Sequence, residues 1–128
     1  MTSIVELKGI KKSFKSTLLA SRTDVLKDIN FKIKQGSITG FLGANGAGKT
    51  TTFKCILGLI FPDEGSIEFF KGSSLNNIVK SKIGFMPERP QFPEYLSGEE
   101  FLRYYLHLYG VSNKKIIEDS VDKTLKQV

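Results

Sequence analysis

The 128-residue chain carries 19 Lys and Arg against 13 Asp and Glu, a formal net charge of +6. That length supports one domain with a core of its own, and 40% hydrophobic with 25% charged residues excludes wholesale disorder and fibrous architectures. The longest apolar run, residues 55–61, is interrupted by Gly58 and falls well short of the about 20 residues that span a bilayer.

Residues 1–6 lack the basic start and apolar stretch of a signal peptide. Cys55 is the single cysteine, which excludes an internal disulfide or a cysteine metal cluster and fits a reducing cytosol. The lysines are scattered rather than blocked, so the positive charge reads as a solvated surface and nucleic acid is not expected as a partner.

Residues 4–14 read as a strand broken near Gly9. Ile29, Phe31 and Ile33 alternate with Asp28, Asn30, Lys32 and Lys34, which predicts a second strand with one wet face. With polar residues 16–24 as the loop between them, the two form an antiparallel layer. After Gln35-Gly36, the apolar residues 38–42 predict a short strand buried on both faces. Residues 51–57 follow as a helix ending near Gly58, then a Pro62-Asp63-Glu64-Gly65 turn and a strand over 66–70. Another strand is expected over 82–86, stopped by Pro87, with a loop over 88–93. Ser97 and Glu100 form a capping box for a helix whose Phe101, Leu102, Tyr105, Leu108 and Tyr109 share one face up to Gly110. Ile117, Val121 and Leu125 stand at i, i+4 and i+8 in a last helix, and no stop signal follows before Val128.

Gly43-Ala44-Asn45-Gly46-Ala47-Gly48-Lys49-Thr50 satisfies G-x-x-x-x-G-K-[ST] between an apolar strand and a helix. Backbone N–H groups must turn inward around a diphosphate, and side chains would block that approach, hence the glycines. The helix N-terminus after Gly48 favours an anion. Lys49 supplies a full charge to the β- and γ-phosphates, and Thr50 a hydroxyl for Mg²⁺. These residues predict a nucleotide site.

This loop, followed by Thr51 and Thr52 and preceded by Val25-Leu26-Lys27-Asp28-Ile29-Asn30-Phe31-Lys32-Ile33, resembles that of ATP-binding cassette (ABC) ATPases. Pro62-Asp63-Glu64-Gly65-Ser66-Ile67 is similar to the family's turn after the first helix, and Ile83-Gly84-Phe85-Met86-Pro87-Glu88 to its segment entering the Q-loop. The resemblance implies an α/β P-loop NTPase fold: an antiparallel N-terminal β layer (1–36), a P-loop core with a mainly parallel sheet and helices (37–95), and the start of a helical region (96–128). It implies ATP and Mg²⁺ as cofactors. Thr51 would approach the α-phosphate. Phe14 falls where the family stacks an aromatic residue on adenine, an apolar strand terminus being the alternative. Glu88 stands at the Q-loop position, where a carboxylate reaches Mg²⁺ and the attacking water; an ordinary exposed loop glutamate is the alternative. Lys49 and Glu88 are thus the catalytic candidates. Glu at that position and the sequence of residues 83–98 resemble the export-type branch. Phe92, between Pro90 and Pro93, reads equally as a partner contact or a cover for the local core.

Leu96-Ser97-Gly98-Glu99-Glu100 is superficially similar to the family's signature, but it comes too soon and its Ser and Glu form a helix cap. No apolar strand ending in Asp-Glu follows Lys49, and Asp63-Glu64 lies in a turn. His107 precedes any signature and reads as structural. The sequence therefore reads as the N-terminal part of a longer cassette. Such a piece would bind ATP without hydrolysing it. By resemblance, the whole would be a cytoplasmic subunit, peripheral on the membrane's cytoplasmic face, driving export through a separate transmembrane permease and pairing with a second cassette. Non-transport ABC ATPases of DNA repair or translation, and a nucleotide-binding regulatory or nucleic-acid module, are the competing readings. A small GTPase would need an N-K-x-D motif that is not here. Uncovered strands of a parallel sheet invite pairing with another chain, so the piece is expected to self-associate. Light scattering at high concentration measures this, and a clean monomer would contradict it.

Overall fold

The computed structural model describes residues 2–15, 21–70 and 72–127. In chain order it contains β1 (Ser3–Lys15), β2 (Arg22–Lys34), α1 (Lys49–Ile56), β3 (Glu64–Phe69), α2 (Asn77–Lys80), α3 (Gly98–Leu108) and α4 (Lys114–Leu125). It divides into two compact units, Met1–Gly84 and Phe85–Val128. No helix among the described residues is long and apolar enough to cross a membrane.

The first unit is built on an antiparallel sheet of order β2-β1-β3. Leu7 and Ile10 of β1 are both buried, three residues apart. Strict alternation would put them on opposite faces. One extra residue corrects this. The β1–β2 register shifts between Leu7 and Ile10, where Gly9 takes φ +61°, the left-handed glycine of a G1-type β-bulge. Asn30 pins the bulge: its Oδ1 accepts from the Gly9 N–H at 2.7 Å, and its Nδ2 donates to Asp28 Oδ1 at 2.9 Å. Leu26 of β2, Cys55 and Ile56 of α1, Phe69 of β3 and Val79 of α2 complete the core with Leu7 and Ile10.

The expected break at Gly9 is thus a bulge within one continuous strand. The loop expected over 16–24 is shorter, since residues 22–24 belong to β2; residues 16–20 lie outside the described residues. The turn at 62–65 gives up Glu64 and Gly65 to β3, which enters beside the bulge. The short α2 was not expected: its four residues carry no periodicity, and its start depends on Asn76 Oδ1 accepting from the Val79 N–H at 2.9 Å.

Residues 38–42 and 82–86, expected as strands, have no strand partner among the described residues. Ile38 and Leu42 are almost fully exposed, and only Phe41 packs, its ring 5.3 Å from Phe31 and 5.7 Å from Phe53. A strand that is apolar on both faces holds its form only between neighbours that take up its N–H and C=O groups. Without them the segment is irregular and unpaired, and the described sheet is wholly antiparallel.

In the second unit the capping box forms as expected. Ser97 Oγ accepts from the Glu100 N–H at 3.2 Å, and Glu100 Oε2 accepts from the Ser97 N–H at 2.8 Å. Gly110, at φ +80°, follows the end of α3. The α4 helix spans Lys114–Leu125, with Lys126 as its C-cap. Ile117 and Val121 are buried, and Arg103 of α3 clasps Glu118 of α4 through two hydrogen bonds (2.6 and 3.2 Å) while also pairing with Glu99. Phe92 sets its ring edge-on to Phe101 at 5.0 Å yet stays 62% exposed.

The strand β3 passes so close to the bulge that a Cβ on Gly65 (φ +89°) would lie 2.4 Å from Gly9 O. Gly65→Ala is therefore expected to cost about 2 kcal/mol or more, with the melting temperature falling by about 10 °C. Gly84→Ala, which meets nothing within 4 Å, should change stability by less than about 0.5 kcal/mol. Thermal melts followed by circular dichroism compare the two.

Candidate functional site

The glycine-rich loop and α1 form one continuous structure. Gly46 and Gly48 take φ of +83° and +86°, the left-handed conformation that glycine adopts without penalty. At Gly48 a second constraint applies: a Cβ would lie 2.6 Å from Leu26 Cδ2 and 2.9 Å from Val25 O. The loop enters its helix pressed directly against β2, and only a residue without a side chain fits. Leu26 is thus the floor of the loop, a role its place in an ordinary strand pattern gave no means of seeing.

Gly48 is also the N-cap of α1, and it offers no side chain to the helix's first N–H groups. The other described helices all have one: Asn76 caps α2, Ser97 caps α3 and Asn113 caps α4. The first N–H groups of a helix have no intrahelical acceptor. At α1 no side chain caps them, and the helix dipole there would favour an anion. The helix is rooted from below, where buried Thr52 donates its N–H and Oγ1 to Gly48 O at 2.8 and 3.0 Å.

The loop's curvature is closed by its own cation. Lys49 Nζ donates to Gly43 O at 2.6 Å and Ala44 O at 2.8 Å, and the Ala47 N–H donates to Ala44 O at 3.1 Å. An ammonium therefore lies across the hollow. A Cβ on Gly43 would meet Ala47 Cβ at 3.4 Å and the Lys49 stem at 3.8 Å, so the rim is tight as well. Thr50, exposed on the first turn, offers one hydroxyl oxygen. No cluster of three His, Cys, Asp or Glu side chains able to hold a metal exists among the described residues. A Mg²⁺ ion here would draw its other ligands from phosphate and water, as this hard cation commonly does. The donor set fits a Mg-nucleotide.

Gly43 to Thr51 thus stand together as one cradle. Phe14 lies in the same unit, near the end of β1 opposite Thr23; the residue is 41% exposed, and Lys12 Nζ lies 5.6 Å from its ring centroid. Glu88 is an exposed loop residue of the second unit. Asp63 and Glu64, set aside as a catalytic pair, are engaged in ion pairs: Lys12 Nζ lies 2.7 Å from Asp63 and Lys11 Nζ 2.7 Å from Glu64. The Lys12 ammonium and then the Ser13 hydrogen bonds hold the Asp63 carboxyl well below the usual carboxylate range. His107 is exposed on the last turn of α3, and Cys55 is buried in the core, where burial pushes its thiol up. Lys8 and Lys32 pair with Glu68 and Glu6 at 2.7 Å each, so much of the positive charge on the sheet is locally matched.

The family model described as ABC transporter matches residues 26–128. The chain is 37% identical over its full length to the ABC transporter ATP-binding protein YcbN of Bacillus subtilis, of which it covers 41%. It is 36% identical, over 82% of its length, to the SkfA peptide export ATP-binding protein SkfE of B. subtilis, covering 44% of that protein. Its fold matches that of the dimeric ATP-binding cassette MJ0796, in a post-hydrolysis state bound to ADP and Pi, with a TM-score of 0.75 and 23% identity, over 96% of this chain and 56% of that one. The chain therefore spans about two-fifths of the length of these curated relatives.

Proposed function

We infer that this chain, which belongs to the ABC transporter family, holds the phosphates of ATP in a subunit that couples ATP binding and hydrolysis to transport. The observation that carries this reading is the N-terminus of α1: a complete phosphate-loop motif, a glycine N-cap with no side chain to satisfy the first amides, and Lys49 curled into the hollow. Backbone amides and Lys49 would take the β- and γ-phosphates, Thr51 would stand near the α-phosphate, and Thr50 would ligate Mg²⁺. Phe14 would carry the adenine on its accessible ring.

Similarity to a peptide-export ATP-binding protein supports the export direction. A transmembrane permease is the expected partner, holding the subunit at the cytoplasmic face of the membrane. A second cassette is the other, by analogy with the dimeric cassette whose fold this chain shares. The exposed Ile38 and Leu42 support self-association of the 128-residue piece through its unpaired segment. Local pairing of the sheet lysines with carboxylates weighs against a nucleic-acid surface.

Hydrolysis needs a group that positions the attacking water and a carboxylate on Mg²⁺ besides the loop itself. Asp63 and Glu64 are engaged with lysines, and Glu88 is the one remaining candidate from the motifs. The purified chain is expected to bind MgATP by calorimetry, with Lys49→Ala weakening binding by about 10-fold or more. Phosphate release should stay at background, and sustained Mg-dependent release would overturn this part of the reading. In the complete protein, Glu88→Gln should alter the ATPase rate or transport; if both are unchanged, Glu88 has no coupling role.

A further inference from the structure

The end of β1 that carries Phe14 is fastened to the rest of the unit at two places. One is the sheet itself: Lys12 pairs with Leu26, whose side chain is the floor under Gly48. The other is Asp63, in the turn between α1 and β3. Its Oδ1 accepts from Lys12 Nζ at 2.7 Å, and its Oδ2 accepts from both the Ser13 N–H and Ser13 Oγ at 2.8 Å. Its own N–H donates to Lys11 O at 2.8 Å, and Arg22 Nη2 lies 3.6 Å from Oδ2. One side chain thus engages the two residues immediately before Phe14. Lys12 then places its ammonium 5.6 Å from the Phe14 ring centroid, within the range of a cation–π contact.

We propose that Asp63 is a positioning residue for the nucleotide base, fastening the strand end that bears Phe14 at a fixed place relative to the phosphate cradle. The inference rests on the reading of Phe14 as the base platform. Stacking rewards a ring only where the base, tethered to phosphates already seated in the loop, can reach its face, so the span between cradle and ring must be held. The turn containing Asp63 follows α1 and the strand end adjoins the floor of the loop, so both ends of that span belong to one braced frame. A carboxylate is required rather than an amide. It accepts from three donors at once, one of them an ammonium, and hydrogen bonds to an ionised acceptor are the stronger kind.

The test compares MgATP with Mg-tripolyphosphate, which has the phosphates but no base, by calorimetry on the full 128-residue chain. Phe14→Ala should weaken ATP by about 10-fold and leave tripolyphosphate unchanged. Asp63→Asn should weaken ATP by about 3- to 10-fold, again sparing tripolyphosphate, and should cost nothing further in the Phe14→Ala background. Equal loss for both ligands, no loss at all, or an undiminished loss in the Phe14→Ala background would each overturn the proposal. Should Asp63→Asn melt below the assay temperature, Lys12→Gln removes the ion pair and the cation beside the ring, and the same comparison decides. If Phe14→Ala spares ATP, the base-platform reading itself fails, and that result is distinct from Asp63→Asn failing alone.

Discussion

A single steric contact stands at the centre of the first unit: the place where the glycine-rich loop turns into α1 lies against the backbone and side chain of β2. With Val25 O and Leu26 Cδ2 where a Cβ of residue 48 would stand, the loop descends to the sheet with no space between. That closeness fixes where the helix begins, leaves its first amides without a capping side chain, and ties the depth of the cradle to the position of a strand. Leu26 is at once part of the core and the surface on which the loop rests. The packing of Leu26 in the core and the position of the loop at Gly48 are therefore set by the same side chain.

The sheet solves a second problem, which is how two long strands keep their apolar residues on one side. The bulge at Gly9, held by Asn30, shifts the alternation by one residue, so that Leu7 and Ile10 share a face. Its consequence reaches β3, because Gly65 must pass beside the same carbonyls. Charge pairs then trim the outer face, Lys8 with Glu68 and Lys32 with Glu6. Such exposed pairs contribute little to stability individually. Their effect is to match several of the sheet lysines locally with carboxylates.

Features written in adjacent residues were legible in the sequence. The glycine turn into α1, the Ser97–Glu100 capping box and the stop at Gly110 are each specified within a few positions, and the backbone forms them as read. Features that depend on distant partners were not. Asp63 looks like any turn aspartate until Lys12, 51 residues earlier, is brought against it. The bulge needs Asn30 opposite Gly9, and Leu26 becomes a floor only once Gly48 lies on it. Residues 38–42 show the converse: their composition asks for a buried strand, but hydrogen-bonding neighbours decide whether one exists.

The ammonium of Lys49 resting on two carbonyl oxygens changes what binding means for this loop. A cation waiting in bulk water would have to surrender its hydration shell and its rotamer freedom when an anion arrived. Here part of that expense falls on folding, and on the proposed reading phosphate oxygens would take over from ligands already in place. If the loop takes phosphate as proposed, recognition would be an exchange of one set of oxygens for another, and selectivity would lie in how well phosphate outcompetes the loop's own backbone.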